Sequence, residues 1–332
     1  MKFNKRRDLT FVFECRNGNP NGDPDADNMP RMDPVTGIGF TTDVWLKRII
    51  RDLMLAAPPT PKEGYDIFVR SGLVINHLLE EATLQTAPGV KDVEEAKRAK
   101  AHARATFEWL VWKYFDLRAF GGVMTTGETE KAAAGEDPEA EGDAPEKGRK
   151  GKKAKSTNAL KGSVYGQIRG PVAVTFARSI CPIHPSRVTM TRCMVTSEKD
   201  IDKERTMGGK WVVPYGVYVG TISVSVVEAE KTGFSQEDYD HLLFYISHLF
   251  DNNKSASRSD LRLRSLVEFT HEGSGGDPRE QVLGCQPDWK LHETVKVRLK
   301  DGVTEPTSWE DIDFQTTFTP EAFPGVSMRV VV

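Results

Sequence analysis

Apolar and polar residues alternate in the first segment of the chain, which is the period of a β-strand that packs one face on a core. The apolar positions of this alternation are Leu9, Phe11 and Phe13. The positions between and after them are Thr10, Val12 and Glu14. The pattern therefore predicts a strand near the N-terminus with one buried face.

A second apolar pattern, now with helical spacing, follows further along the chain. Its members are Leu46, Ile49, Ile50 and Leu53. Thr41 or Thr42 can cap this helix, and Asp43 falls in its first turn, where a negative charge is favourable. The pattern predicts an amphipathic helix that packs its apolar stripe on the strand.

Cations occupy the polar side of this predicted helix. They are Lys47, Arg48 and Arg51, and they fall opposite the apolar stripe. Such a face can bind a phosphate backbone. It can equally be an ordinary solvated face in which Arg48 pairs with Asp52 at i,i+4 spacing.

The loop between strand and helix, Asn17–Arg31 (the Asn/Pro loop), is rich in Asn, Asp, Gly and Pro. Proline steps interrupt both helices and sheet ladders, so we expect a fixed loop. Its aspartates begin like a calcium-binding loop at Asp23, but Gly is missing at the sixth position and the twelfth is Pro34, which excludes an EF-hand. Asp23 and Asp33 could instead help a metal ion align water on a phosphate, or cap turns of the loop.

Further patterns complete the fold prediction. They are a long helix from about residue 93 to 115, a strand at 172–177, a hairpin at 185–211, a strand at 218–226, a helix capped by Ser235 and a last strand near 266–269. The core order is strand, helix, strand, strand, helix, strand, which is the ferredoxin-like order and includes the RNA-recognition fold. We therefore expect an α+β fold, with residues 1–332 as one elaborated domain.

Composition changes abruptly between residues 127 and 161, where an acidic, Ala/Gly-rich half is followed by a basic run. This segment has almost no residue able to support a core, so it is predicted to be a disordered insertion. Its basic half is either a solvated tether or a nucleic-acid contact. The formal net charge is −3, and the segment after residue 300 accounts for this negative balance because it contains six acidic residues and one arginine. The net charge therefore does not exclude nucleic-acid binding by the rest of the chain.

The four cysteines are scattered and include no Cys-x-x-Cys pair, which suits reduced thiols. Cys181, His184 and Cys193 match no standard zinc spacing and lack a fourth ligand, so no metal or other cofactor is expected. No apolar run is long enough to span a membrane and no signal-peptide core follows the N-terminus, so a cytoplasmic protein is expected. No phosphate-binding glycine loop or nucleophile motif is present.

A string of motifs resembles the backbone subunit of type I-C CRISPR interference complexes (Cascade), in the RAMP superfamily. The motifs are Asn19-Pro-Asn-Gly-Asp-Pro-Asp-Ala-Asp-Asn-Met-Pro-Arg31, Thr42-Asp-Val, Lys47-Arg48, Ile50-Arg51, Phe120-Gly-Gly-Val-Met-Thr-Thr126, Gly166-Gln-Ile-Arg-Gly-Pro-Val172, Arg205-Thr-Met-Gly-Gly-Lys210 and Val213-Pro-Tyr-Gly216. The resemblance implies a hand shape: an RNA-recognition-like palm, a helical finger insertion at 58–118 and a β-hairpin thumb at 185–211. It covers the chain to about residue 270.

The resemblance also implies a function and partners. Copies of a non-catalytic subunit would stack as an open helical array along the guide RNA (crRNA), each thumb displacing a base of its neighbour's stretch. Guide pairing would bind the target DNA strand in antiviral defence. The further partners implied are a large subunit, a small subunit, a crRNA-processing subunit and, indirectly, a helicase-nuclease. The insertion at 127–161, the large Trp45 and Gly209 in place of a basic residue depart from the family.

The candidate RNA-binding residues combine cations for phosphates with polar and apolar groups for bases. They are Asn19, Asn21, Arg31, Lys47, Arg48, Arg51, Gln167, Arg169, Arg192, Met194, Met207 and Lys210. The methionines either wedge against a base or pack ordinarily. Two other functions stay open: a metal-dependent endoribonuclease that uses a loop aspartate, as in related type III complexes, and a stand-alone single-stranded RNA-binding protein.

Overall fold

The computed structural model describes residues 1–86, 102–124, 160, 164–192, 206–252, 254–258 and 260–332. Its centre is an antiparallel sheet in the order β14-β11-β1-β10-β8-β4. These strands are β1 Arg7–Gly18, β4 Ile38–Thr41, β8 Ala177–Pro182, β10 Thr206–Val224, β11 Leu261–His271 and β14 Val326–Val330. Short strands β7 (Val172–Val174) and β9 (Ser186–Arg192) also pair with β10. The Asn/Pro loop contains a short separate pair, β2 (Gly22–Asp23) with β3 (Met29–Pro30). Helices and an antiparallel sheet together confirm the predicted class of fold.

Helices cover one face of this sheet. They are α1 Asp43–Ala56, α5 Val226–Thr232 and α6 Gln236–Ser247. The Thr42 side chain caps α1 by accepting from the Trp45 N–H, and Ser235 forms a capping box with Asp238 at the start of α6. Both predicted caps are confirmed. Trp45, which departs from the family pattern, packs in the core against Phe13 and Phe250.

The opposite face of the sheet is also covered, so the prediction of a single buried face on β1 is wrong. Thr10, Val12 and Glu14 are all buried. Their cover is the segment after residue 270, which contains α7 (Pro278–Leu283), α8 (Asp288–His292) and the hairpin of β12 (Val295–Leu299) with β13 (Ile312–Thr316). Ile312 packs there against Val12 and Val217.

A buried carboxylate lies beneath this cover. Glu14 accepts a hydrogen bond from the Tyr215 hydroxyl at 2.9 Å and from Arg264 Nη2 at 2.6 Å. The Arg264 guanidinium in turn lies over the Trp309 ring, 5.1 Å from its centroid. Residues far away in the chain thus satisfy the charge of Glu14. Because of these partners, β1 can be buried on both faces although one face contains a carboxylate.

The finger region contains α2 (Ile75–Thr86), α3 (Ala103–Lys113) and α4 (Phe115–Phe120). The long predicted helix is interrupted at Tyr114, whose extended backbone caps α3 and precedes α4. Tyr114 is buried against Phe68 and Trp109. Packing of the Tyr114 ring therefore determines where the helix is interrupted. The spacing of the apolar residues alone does not predict this interruption. The first part of the predicted helix, from about residue 93 to residue 101, lies outside the described residues.

The predicted disordered insertion also lies outside the described residues, except for Leu160. This side chain is fully buried in the same cluster as Leu79, Leu110 and Ile168. The segment 127–161 therefore supplies one core side chain at its end, Leu160, where its composition predicts almost none. In the part of the chain that the structure describes, no helix has the length and apolar character needed to cross a membrane.

Candidate nucleic-acid interface

The Asn/Pro loop is fastened to the start of α1. Asn21 Oδ1 accepts from the Thr42 backbone N–H at 3.0 Å and from the Thr42 hydroxyl at 3.2 Å. Asn19 Nδ2 donates to the Asn28 carbonyl at 2.7 Å. Asn17, Asp27 and Asn28 adopt left-handed backbone angles with φ of 46°, 50° and 61°, which asparagine and aspartate tolerate better than other non-glycine residues. The loop is fixed, as its composition predicts.

The loop carboxylates are engaged in turns. Asp23 Oδ1 accepts from the Asp25 N–H at 3.2 Å, and its other oxygen lies 3.1 Å from Arg31 Nη1. Asp33 Oδ1 accepts from the Val35 and Thr36 N–H groups at 2.8 and 3.1 Å. These backbone donors hold the pKa of Asp33 below its ordinary value. Both carboxylates therefore have structural partners.

The cations of α1 do not share one face. Lys47 pairs with Asp43 and Arg48 with Asp52, each at 2.9 Å, and Arg48 is 48% exposed. Arg51 is instead buried, with Nε 2.8 Å from Asp116, whose carboxylate also accepts from the Phe68 N–H. The expectation that Arg51 lies on the solvated face is wrong, because Asp116 of α4 faces this side of the helix and draws its guanidinium inward.

Two Gly-containing motifs pack backbone to backbone beside α1. Strand β5 (Gly121–Val123) pairs with β6 (Gln167–Arg169), with Gly121 opposite Arg169 and Val123 opposite Gln167. A Cβ on Gly121 would lie 2.3 Å from the Ile168 carbonyl oxygen, so this position requires glycine. Lys47 Nζ lies 5.9 Å from the centroid of the adjacent Phe120 ring. Lys47 therefore packs on the residue that leads into β5, and Arg169 and Gln167 of the partner strand β6 are exposed.

The base of the β9–β10 hairpin meets the loop. Lys210 Nζ donates to the Ala256 carbonyl at 2.8 Å, and the Asn19 N–H donates to the neighbouring Ser257 carbonyl at 2.6 Å. Arg187 Nη2 lies 3.3 Å from Asp27 of the loop. Gly209 makes room for this arginine, because a Cβ there would lie 2.7 Å from Arg187 Nε. The departure at Gly209 thus has a local reason.

The remaining hairpin candidates are only partly described. Met207 lies opposite Thr191 and Thr206 lies opposite Arg192 in the strand register. Met194 lies outside the described residues. Gln167 and Arg169 of β6 lie in the wall of a groove of about 1170 Å³. Its other walls come mainly from α3 and α5.

A family model described as CRISPR-associated protein Cas7 matches residues 5–317. This chain belongs to the Cas7 family. A curated CRISPR-associated protein Cas7 from Haloferax volcanii is 28% identical over 276 residues, which are 80% of this chain and 70% of that protein. The resemblance inferred from the motifs is therefore confirmed at the level of the family.

Solved structures show weaker likenesses. A chain of a "CRISPR RNA-guided surveillance complex, pre-nicking" has a TM-score of 0.41 and 12% identity over 80% of this chain and 78% of that one. A chain of a "Type III-B Cmr-beta bound to cognate target RNA" has a TM-score of 0.36 and 12% identity over 79% of this chain and 60% of that one.

Two contributors to this surface of the Cas7-family chain are missed by the sequence patterns. They are Arg187, which bridges the hairpin to the loop, and the segment 254–258, whose carbonyls receive Lys210 and Asn19. The basic and small residues of that segment were a usable signal, since Lys254 and Arg258 flank it. Its contact with the loop depends on the tertiary fold.

One group of potential metal ligands occurs among the described residues, with the ligand atoms of Asp8, Asp288 and His292 all within 4.8 Å of one another. Asp8 already accepts from His271 Nε2 at 2.8 Å and from Ser223, and Arg6 Nε lies 3.0 Å from its carboxylate. Arg6 thus supplies the positive charge that a cation would bring. The cluster is therefore explained as a buried ion pair.

Proposed function

We propose that this chain is a non-catalytic, crRNA-binding backbone subunit of a type I-C CRISPR interference complex. The observation that carries the proposal is the meeting of the Asn/Pro loop, the start of α1 and the base of the β9–β10 hairpin. These are the segments that hold most of the family motifs. A rigid surface of this kind can hold an RNA strand in a fixed path without recognising the base sequence of the RNA. A subunit that must accept any guide requires this property.

The sheet supports a ferredoxin-like palm in this proposal. The core strands run β11-β1-β10-β8 with α1 and α6 on one face, and all their pairings are antiparallel. The other face, which binds bases in RNA-recognition domains, is covered over β1 and β10 by β12 and β13. The guide would therefore run over the loop, α1 and the hairpin rather than across the centre of the sheet.

Cations that can bind the phosphates of the guide lie along that path. Arg48 is half exposed on α1, and Arg169 makes no ion pair with any residue that the structure describes. Lys47 pairs with the Asp43 carboxylate and lies over the Phe120 ring, and Lys210 donates to the Ala256 carbonyl. A phosphate can replace the carboxylate or the carbonyl. Each phosphate contact would release counterions and make binding depend on salt.

The β9–β10 hairpin determines the assembly that we propose for copies of this chain. A thumb that reaches a neighbour's guide makes a heterologous contact, so repeated copies would form an open array rather than a closed dimer. The proposed complex adds the target DNA strand through guide pairing, a large subunit, a small subunit and a processing subunit, with a helicase-nuclease acting later. We place it in the cytoplasm, in antiviral defence.

The endoribonuclease alternative is less favoured because of the loop geometry. Asp23 is held by Arg31 and Asp33 by two backbone N–H groups, so each carboxylate has a turn-forming role that explains its presence.

The deciding experiment is to purify the chain together with the products of its neighbouring genes and to sequence the RNA that accompanies it. Spacers flanked by repeat sequence are expected, and native mass spectrometry should show mass rising in steps with guide length. Random cellular RNA would instead identify a stand-alone RNA-binding protein. A compact dimer whose mass ignores RNA length would contradict the array.

A further inference from the structure

A pair of aromatic rings lies at the open edge of the main sheet. Phe40 of β4 and Phe176, just before β8, are nearly parallel, with 4° between their planes and 5.9 Å between centroids. Phe176 is 46% exposed. An exposed ring that is backed by a second, parallel ring offers a flat apolar face on which another ring can stack.

Arg178 lies on the same side of the sheet. It is the register partner of Phe40 across the β4–β8 pair, and directly opposite residues of an antiparallel pair project to the same face. Arg178 is exposed, and it has no hydrogen-bond or ion-pair partner among the described residues. Its guanidinium contributes to the low pKa of Asp33, after the hydrogen bonds from Thr36 and Val35. The charge is thus available close to the rings.

The cover on this face ends beside the pair. Leu299 and Phe314 of the β12–β13 hairpin pack with Ile180 of β8 and Val219 of β10, but leave Arg178 exposed. Phe176 and Arg178 therefore remain exposed beside this hairpin, on the side of the β4 edge.

Hydrogen bonds hold the backbone on either side of the aromatic pair in place. The preceding Thr175 N–H donates to the Thr221 carbonyl at 3.0 Å, and the Thr221 N–H donates to the Thr175 hydroxyl at 3.0 Å. On the other strand, the Phe40 N–H donates to the Arg31 carbonyl at 2.9 Å, at the end of the Asn/Pro loop. The pair is therefore rigid and continuous with the candidate interface.

We propose that Phe176, backed by Phe40, stacks one unpaired base of single-stranded RNA while Arg178 contacts the adjoining phosphate. The inference rests on the proposed function, because it assigns part of the same strand's path. A base cannot enter between the rings, since that would require centroids about 7 Å apart or more. It stacks on the outer face of Phe176, as bases do on aromatic side chains in single-strand-binding proteins.

The test measures binding of the full chain to a short labelled oligoadenylate and to an abasic oligomer of the same length, by fluorescence anisotropy. Phe176→Leu should weaken oligoadenylate binding about 5- to 150-fold and leave abasic binding unchanged, because the ring contacts only the base. Phe244→Leu is the matched control, since Phe244 is 54% exposed on α6 and lies outside the interface. It should bind both oligomers as the unaltered chain does.

Two further variants separate the contributions. Arg178→Gln should lower the slope of log affinity against log salt by about one with both oligomers, whereas Phe176→Leu should leave that slope unchanged. In Phe176→Trp, oligoadenylate should quench the added indole emission and the abasic oligomer should not. This readout remains decisive where Phe176→Leu affects folding.

Equal affinity of Phe176→Leu and the unaltered chain for oligoadenylate, together with an unquenched indole, would overturn the stacking site alone. Loss of self-association in Phe176→Leu at full RNA affinity would assign the pair to a protein contact and also overturn it. An unaltered chain that binds no RNA in its assembled complex would instead overturn the proposed function.

Discussion

Asn21 accepts two hydrogen bonds from Thr42, one from the backbone N–H and one from the hydroxyl. Thr42 in turn caps α1. The two residues thereby fix the direction in which the Asn/Pro loop approaches the helix. Their contact is the clearest point at which a family motif and the frame of the fold are joined.

Replacing Asn21 should therefore destabilise the chain. Asn21→Ala leaves two donors of Thr42 without their acceptor and should cost about 1–3 kcal/mol of unfolding free energy. Asn21→Asp keeps an acceptor and serves as the control. In a double-mutant cycle with Thr42→Ala, measured by denaturant unfolding, the double variant should be destabilised by less than the sum of the two single variants. Full additivity would show that the hydrogen bond from the Thr42 hydroxyl contributes nothing.

Lys47 and Arg48, the cations of α1 that lie outside the core, should control the salt dependence of RNA binding. Lys47→Glu combined with Arg48→Glu should weaken RNA retention and lower the slope of log affinity against log salt by about one for each phosphate that is no longer bound. Arg279→Glu on α7, where the side chain is 86% exposed, is the control. An unchanged slope in a folded double variant would show that this face is only solvated.

Arg51 should behave differently, as a residue of the core. Arg51→Ala leaves the buried Asp116 carboxylate without its cation and should cost about 3–5 kcal/mol. Arg48→Ala breaks an exposed pair and should cost about 1 kcal/mol or less. Thermal or denaturant unfolding of the two variants compares them directly. Equal destabilisation of both variants would contradict the buried role of Arg51.

The insertion should be dispensable only up to its last residues. Replacing residues 128–158 with a short Gly/Ser linker removes no described core side chain and should change the melting temperature little. Leu160→Ala should instead cost about 2–5 kcal/mol, because that side chain is fully buried. Insoluble protein from the linker variant, or a neutral Leu160→Ala, would contradict this division.

The buried Asp8 should make stability depend on pH. Burial alone would raise the pKa of Asp8, but hydrogen bonds from His271 and Ser223 and the charge of Arg6 outweigh it and hold the pKa below its ordinary 3.8. The ionised carboxylate therefore stabilises the fold fully above that value, and this contribution is lost as pH falls through the lower folded pKa.

Asp8→Asn should accordingly destabilise the chain at neutral pH, with a deficit that shrinks below pH 3.8. Denaturant unfolding across the acidic range measures it. Asp52→Asn, which alters an exposed pair, is the control and should show only a small deficit. A deficit for Asp8→Asn that is constant with pH would show that the charge itself does not matter.

Local chemistry in the sequence determined several elements by itself. The alternation of β1, the Thr42 cap and the Ser235 capping box depend on residues a few positions apart, so their patterns can be read without the fold. The motif string likewise placed the chain in its family. The composition of the Asn/Pro loop predicted its rigidity, because proline and asparagine act on their own backbone.

Tertiary structure decided what depends on distant partners. Arg51 looked like a surface cation until Asp116, on another helix, drew it into the core. Glu14 looked like the exposed side of a strand, but Tyr215 and Arg264 bury it beneath the C-terminal segment. Burial and charge pairing belong to contacts between residues far apart in the chain, and no local period records them.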